Sequence, residues 1–142
     1  MTVRAFFDTN VLVYALSARA NVNSDPRTEI AERTLGLGGV VGVQVLNEFA
    51  DLAIRKFKLG WDAIEQYLEV IGALCGRPIP LTAETHLAAI DISKRYGYRI
   101  YDSLILAAAL QAGCTTVFTE DMRHGQMIEG LRIENPFRQA RI

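Results

Sequence analysis

Val3-Arg4-Ala5-Phe6-Phe7-Asp8-Thr9-Asn10-Val11-Leu12-Val13-Tyr14-Ala15 opens the chain and sets its architecture. Residues 3–7 are short, apolar and β-prone, which predicts a buried strand. An acid follows at once, and residues 10–18 then read as a helix. Working outward, Pro26 suits the first turn of a second helix that runs to Leu35 and is stopped by Gly36, Gly38 and Gly39. Residues 40–43 read as a second strand. Residues 45–57 are amphipathic: at about 100° per residue, Val45, Leu46, Phe49, Leu52, Ala53 and Phe57 share one face. Gly60 ends that helix, residues 61–74 form another, and residues 78–81 are a short extended piece. Thr82 is placed to cap a helix that reaches Tyr96, with Gly97 as its stop. Residues 102–112 are apolar nearly all round, which predicts a buried helix, and Gly113 ends it. Residues 115–119 read as a strand, followed by a polar turn and a short strand over 131–133. Strands alternating with helices predict an α/β fold with a mostly parallel sheet, in one domain over 1–142.

Composition sets the outer limits. The chain has 142 residues, 15 Lys and Arg against 16 Asp and Glu, and half of its residues are apolar. That is enough for one domain with a real core, and it excludes a disordered chain. A net charge of −1 excludes a broadly basic domain that holds phosphate by bulk charge. It leaves open a site that reaches phosphate through metal ions. The uncharged run 103–119 is broken by Gln111, Gly113, Cys114, Thr115 and Thr116, so no membrane span is expected. No apolar signal region follows Arg4, so the expected location is the cytosol, with Cys75 and Cys114 reduced and buried. Two cysteines so far apart make no zinc pattern.

Ligands of parallel sheets bind outside the carboxyl ends of the strands. Asp8 follows the first strand, and Glu120 and Asp121 follow the strand 115–119. Glu48 lies early in the helix after 40–43, and Asp102 opens the buried helix. On the helical wheel Glu48 sits about 40° beyond Leu52, at the edge of the apolar face. Each acid alone is explained by helix capping or surface exposure. Together they ask for four coincidences at one end of one sheet. No Lys or Arg adjoins Asp8, Glu48 or Asp102 in sequence. The set favours a shared cation, and carboxylate oxygens suit Mg²⁺ or Mn²⁺. Such ions polarise a phosphodiester and lower the pKa of a bound water.

The run Phe6-Phe7-Asp8-Thr9-Asn10-Val11-Leu12-Val13-Tyr14-Ala15 resembles the opening of PIN-domain proteins. Glu48 in Val45-Leu46-Asn47-Glu48-Phe49 and Asp102 in Tyr101-Asp102-Ser103-Leu104-Ile105 match their second and third acids. Phe118-Thr119-Glu120-Asp121-Met122-Arg123-His124-Gly125 resembles their closing acidic motif. Size and motifs resemble the VapC-type toxins of toxin–antitoxin pairs. The resemblance implies a three-layer α/β/α sandwich and a Mg²⁺- or Mn²⁺-dependent endoribonuclease. It implies a homodimer, an RNA substrate, and an antitoxin partner that covers the active site. Asp8, Glu48, Asp102 and Asp121 carry over as catalytic, metal-binding acids. Thr9, Asn10, Ser103 and Thr119 carry over as supporting polar groups. Glu120 either shares the metal or points away while Asp121 binds.

Other features are weighed against plainer readings. Arg123 and His124 are candidate phosphate contacts, and His124 is a weaker candidate base. Lys56 and Arg99 belong to the basic clusters 55–58 and 94–99, each a solvated face or a guide for RNA. Trp61, Ile64, Tyr67, Leu68 and Ile71 have helical spacing, for the core or for a partner helix. His86 is read as structural, and residues 21–27 as a mobile edge. A dehalogenase-like phosphatase would need an acid where this chain has Asn10. A receiver domain would need a Lys where it has Glu120 and Asp121. The serious alternative is a non-catalytic PIN-like module that binds RNA or protein and uses the acids as caps.

Overall fold

The strand β1 (Ala5–Phe7) is buried along its length, with Phe6 and Phe7 both at 0% exposure. Successive side chains of a strand point to opposite faces, so both faces of the sheet are covered there. That is the condition for a sandwich of layers, and the computed structural model, which describes residues 4–17 and 25–138, has it. After β1 come α1 (Thr9–Ser17), α2 (Pro26–Gly36), α3 (Val43–Arg55), α4 (Trp61–Cys75), α5 (Ala83–Tyr96) and α6 (Ile100–Gln111). The strands β2 (Thr116–Phe118), β3 (Met127–Ile128) and β4 (Leu131–Glu134) follow. The sheet order is β1-β2-β4-β3, parallel except for the β3–β4 pair.

Register places the site. Phe7 pairs with Phe118, their rings stacked 6.1 Å apart, so β1 and β2 end side by side. The Asp8 amide then donates to the Phe118 carbonyl at 3.0 Å, which brings Asp8 beside Thr119 at the carboxyl edge.

Local chemistry explains the helices. Asp25 caps α2 by accepting from the Arg27 amide, with Pro26 in the first turn. Thr82 and Thr85 form a reciprocal capping box on α5, and Gly97 closes that helix at φ 81. In α6 every residue from Ser103 to Ala109 is buried, as its all-round apolar pattern predicts. On α4 Ile64 and Ile71 are buried and Tyr67 and Leu68 pack against the core, while Trp61 stays exposed. Cys75 and Cys114 are free and buried, and burial pushes the Cys75 thiol up to about 11. Among the described residues, no helix is long and apolar enough to cross a membrane.

Four expectations need correction. Residues 40–43 form no full strand: they make single parallel bridges, Val40 to Phe6 and Gly42 to Ile79. Helix α3 starts at Val43 with Gly42 as its N-cap, so only a short extended segment remains to pair. Helix α6 starts at Ile100, which puts Asp102 within the first turn. The polar turn contains β3, joined to β4 by Glu129 at φ 49 and Gly130 at φ 88. Two successive positive φ values are the type I′ hairpin geometry, and Glu-Gly is a weaker signal for it than Asn-Gly. His86 lies exposed on α5. Residues 21–24 of the expected mobile edge lie outside the described residues.

Gly39 is required by close approach. A Cβ there would stand 2.5 Å from the Ala5 carbonyl oxygen and 2.7 Å from the Phe7 ring. Gly39→Ala is expected to destabilise the fold by about 2 kcal/mol, the cost of overpacking against the buried Ala5 and Phe7. Gly36→Ala, with nothing within 4 Å, serves as the control and is expected to stay near the parent. Denaturant melts of the two variants compare them, and equal stability would refute the packing argument.

Candidate active site

A cleft of about 270 Å³ opens at the carboxyl edge of the sheet. Asp8, Glu48, Asp102 and Asp121 all line it, brought there by β1, α3, α6 and the loop after β2.

Asp8 is the innermost, at 5% exposure. Its Oδ1 accepts from the Thr9 amide at 2.7 Å, and its Oδ2 from the Thr119 hydroxyl at 2.7 Å. Thr119 Oγ1 in turn accepts from the Asp121 amide at 3.1 Å, so one buried hydroxyl ties two acids together. Asn10 Nδ2 donates to Asp121 Oδ2 at 3.1 Å. Glu48 Oε1 accepts from Gln44 Nε2 at 3.0 Å, and Glu48 Oε2 takes a longer bond of 3.4 Å from the Thr9 hydroxyl. Gln44 Nε2 also donates to the Tyr101 carbonyl at 3.1 Å, which links α3 to the first turn of α6.

The electrostatics are those of crowded negative charge. Burial pushes the Asp8 carboxyl up to about 6; the Thr119 and Thr9 bonds oppose this, while the Glu48 and Asp121 charges add to it. Burial also raises Asp102, against the pull of Arg99, and Asp121 and Glu48 raise it further. Among the described residues, none of the four acids forms an ion pair with Lys, Arg or His. Asn10 must turn its amide nitrogen to the Asp121 carboxylate, which can only accept, and its Oδ1 is left buried without a donor. Among the described residues, no three His, Cys, Asp or Glu side chains are already drawn into a metal-ligand group. The four acids surround the cleft with their carboxylates apart.

Other expected residues are distributed unevenly. Lys56 and Arg99 line the cleft. Ser103 does not: it is fully buried and accepts from the Ser93 hydroxyl at 2.7 Å, between α6 and α5. Glu120 is bound by Tyr14 at 2.7 Å instead of facing the other acids. His124 Nδ1 accepts from the Asn135 amide at 3.0 Å, which occupies one ring nitrogen in the β-turn region. The Arg123 guanidinium sits 5.7 Å from the Tyr98 ring centroid. Neither residue lines the cleft. Gln44 stands outside the acidic motifs, and Tyr14 and Tyr101 stand within them with no polar role that the motifs assign. The spacing of Gln44 to Glu48, and of Asn10 to Tyr14, is one helical turn, which is the signal that could have found two of them.

The raised Asp8 carboxyl makes stability depend on pH. Folding favours its protonated form, so the contribution of Asp8 to stability is fully present below about pH 4 and is lost as pH rises through about 6. In EDTA at about pH 7.5, Asp8→Asn is expected to be more stable than the parent by about 1–3 kcal/mol. At about pH 4 most of that gain disappears, because folded Asp8 is then protonated and neutral like Asn. Urea unfolding at the two pH values measures the difference, and a gain independent of pH would contradict it.

Solved structures share this fold. A toxin–antitoxin complex from Klebsiella pneumoniae aligns with a TM-score of 0.65 at 19% identity, over 93% of this chain and 97% of that one. The sarcin–ricin-loop-cleaving toxin VapC20 of Mycobacterium tuberculosis aligns at 0.61 and 21% identity, over 82% and 91%. VapBC2 of Rickettsia felis, bound to a DNA fragment from its promoter, aligns at 0.63 and 18%, over 94% and 98%. No curated protein matches the chain in sequence. The PIN domain family model matches residues 5–128, from β1 through the acid-bearing loop to β3, and the chain belongs to the PIN domain family.

Proposed function

We propose that this chain is a divalent-metal-dependent endoribonuclease, the toxin of a type II toxin–antitoxin pair. The observation that carries the reading is the gathering of Asp8, Glu48, Asp102 and Asp121 around one cleft with no basic side chain paired to any of them. The PIN fold supports nuclease chemistry, and its likeness to a sarcin–ricin-loop-cleaving toxin supports RNA as the substrate. Likeness to two toxin–antitoxin assemblies supports an antitoxin partner; the homodimer rests on the family resemblance alone.

The donor set fits Mg²⁺ or Mn²⁺. All four candidate ligands offer hard oxygen, and Mg²⁺ keeps several waters, so it needs only one or two of them as direct ligands. When bound, such a cation polarises a phosphodiester and acidifies an attacking water. The chain's own residues do the rest. Thr9 and Thr119 fix both oxygens of Asp8, so it presents one orientation to the cleft. Gln44 steadies Glu48, and Asn10 steadies Asp121. Lys56 and Arg99 meet the RNA backbone locally, which a chain of net charge −1 needs.

The test uses pure, partner-free protein and a mixed cellular RNA pool, with Mg²⁺, Mn²⁺ or EDTA. Metal-dependent cutting is expected, reduced on the order of a hundredfold by Asp8→Asn and by Asp102→Asn, with both variants still folded. Asn caps a helix about as well as Asp, so capping alone would leave the rate unchanged. No cutting by folded wild-type protein would favour the non-catalytic binding module. Lys56→Ala and Arg99→Ala are each expected to weaken RNA binding across sequences. Each also lowers the salt slope by about one, as read by anisotropy at several salt concentrations.

A further inference from the structure

We propose that Glu120 is a positioning residue, clasped by Tyr14 and Arg27, which sets the place of Asp121 and is not itself a metal ligand. The metal half of this statement rests on the function proposed above; the clasp does not.

Two neighbouring acids are received by two residues one turn apart on α1. Asn10 holds Asp121, and Tyr14 holds Glu120 through its hydroxyl at 2.7 Å. The other Glu120 oxygen lies 3.8 Å from Arg27 Nη1. Arg27 is itself fixed from two sides. Its guanidinium lies 4.4 Å from the Tyr14 ring centroid, and Asp25 grips it at 2.8 Å through Nη2 and 3.0 Å through Nε. The Tyr14 ring is backed by Phe137 edge-on, with centroids 5.1 Å apart. Both carboxylate oxygens of Glu120 are thus engaged away from the other acids, and Glu120 does not line the cleft.

The clasp acts on the site through the backbone. Glu120 sits between Thr119, whose hydroxyl serves Asp8, and Asp121, whose amide binds that same hydroxyl. Holding Glu120 outward therefore holds this short loop, and with it the positions of two cleft acids. Glu120 does not line the cleft, so to ligate a cation held by the other acids its side chain would have to swing away from Tyr14 and Arg27. The family resemblance assigns Asp121 to the metal and leaves Glu120 open, and the α1–α2 pair holds Glu120 outward.

Amide hydrogen exchange on metal-free protein tests the clasp. Tyr14→Phe keeps the ring under Arg27 and removes the bond. Exchange over 119–122 is expected to rise several-fold, while β1 and α6 stay protected, with a smaller rise in Glu120→Gln. Unchanged exchange in both variants overturns the clasp, and so does a rise spread evenly over the whole chain. Titration with Mn²⁺ alone tests the ligand assignment. Glu120→Gln is expected to bind within about twofold of wild type, and Asp121→Asn about tenfold or more weaker. Equal weakening in the two variants overturns it. Wild-type protein that binds no Mn²⁺ would sink the proposed metal chemistry and with it the ligand half, while the exchange result still decides the clasp. In cleavage assays Tyr14→Phe and Glu120→Gln are expected to lower kcat, and the double variant to be no worse than the weaker single one.

Discussion

Asp8 is a carboxylate at the end of a wholly buried strand, and the cleft is organised around holding it there. A buried charge needs hydrogen bonds or a partner charge. The chain supplies the first through the Thr9 amide and the Thr119 hydroxyl. It supplies no basic partner among the described residues; two further acids raise the cost instead. Three elements therefore have to end at one place: β1 brings Asp8, β2 brings Thr119, and the turn beyond it brings Asp121. Parallel register between β1 and β2 does this, because Phe7 opposite Phe118 leaves Asp8 and Thr119 as neighbours.

The apolar layers make that arrangement rigid. Phe6 and Phe7 fill opposite faces of β1, and Gly39 gives the extended segment before α3 room to lie against it. That segment pairs with β1 through Val40, and α3 starts almost at once at Val43. The early start places Gln44 in the first turn, one turn before Glu48 and within reach of the Tyr101 carbonyl. Packing and site geometry are in this way the same fact seen from two sides. A shift of the extended segment would move the helix that carries Glu48.

Much of this was legible in the chain. Residues 5–7 announce a strand by apolar, aromatic composition, and the α5 limits follow from Thr82 and Gly97. The all-round apolar run after Asp102 announces a buried helix. The order of the acids with their flanking residues indicated the PIN family. What stayed hidden has physical causes. Residues 40–43 look like a strand because Val is β-prone, yet pairing ends where Gly42 starts a helix. The β3–β4 hairpin has a Glu-Gly turn that composition marks weakly. Ser103 follows Asp102 in the motif, but successive residues of a helix point about 100° apart, and Ser103 faces α5.

From the chain alone, Asp8, Asp102 and Asp121 stand beside element ends, Glu48 lies at the edge of an apolar helix face, and no net positive charge is available to hold a polyanion. Those are local properties, set by composition and by hydrophobic period. What each acid is bound to depends on how distant elements pack. Glu120 and Asp121 are adjacent and chemically alike, yet one is held by Tyr14 and Arg27 while the other lines the cleft beside Asn10. Contacts across about a hundred positions separate them, since Tyr14 and Glu120 stand 106 residues apart in the chain. No local pattern carries that information, because it arises from where two distant elements come to rest against each other.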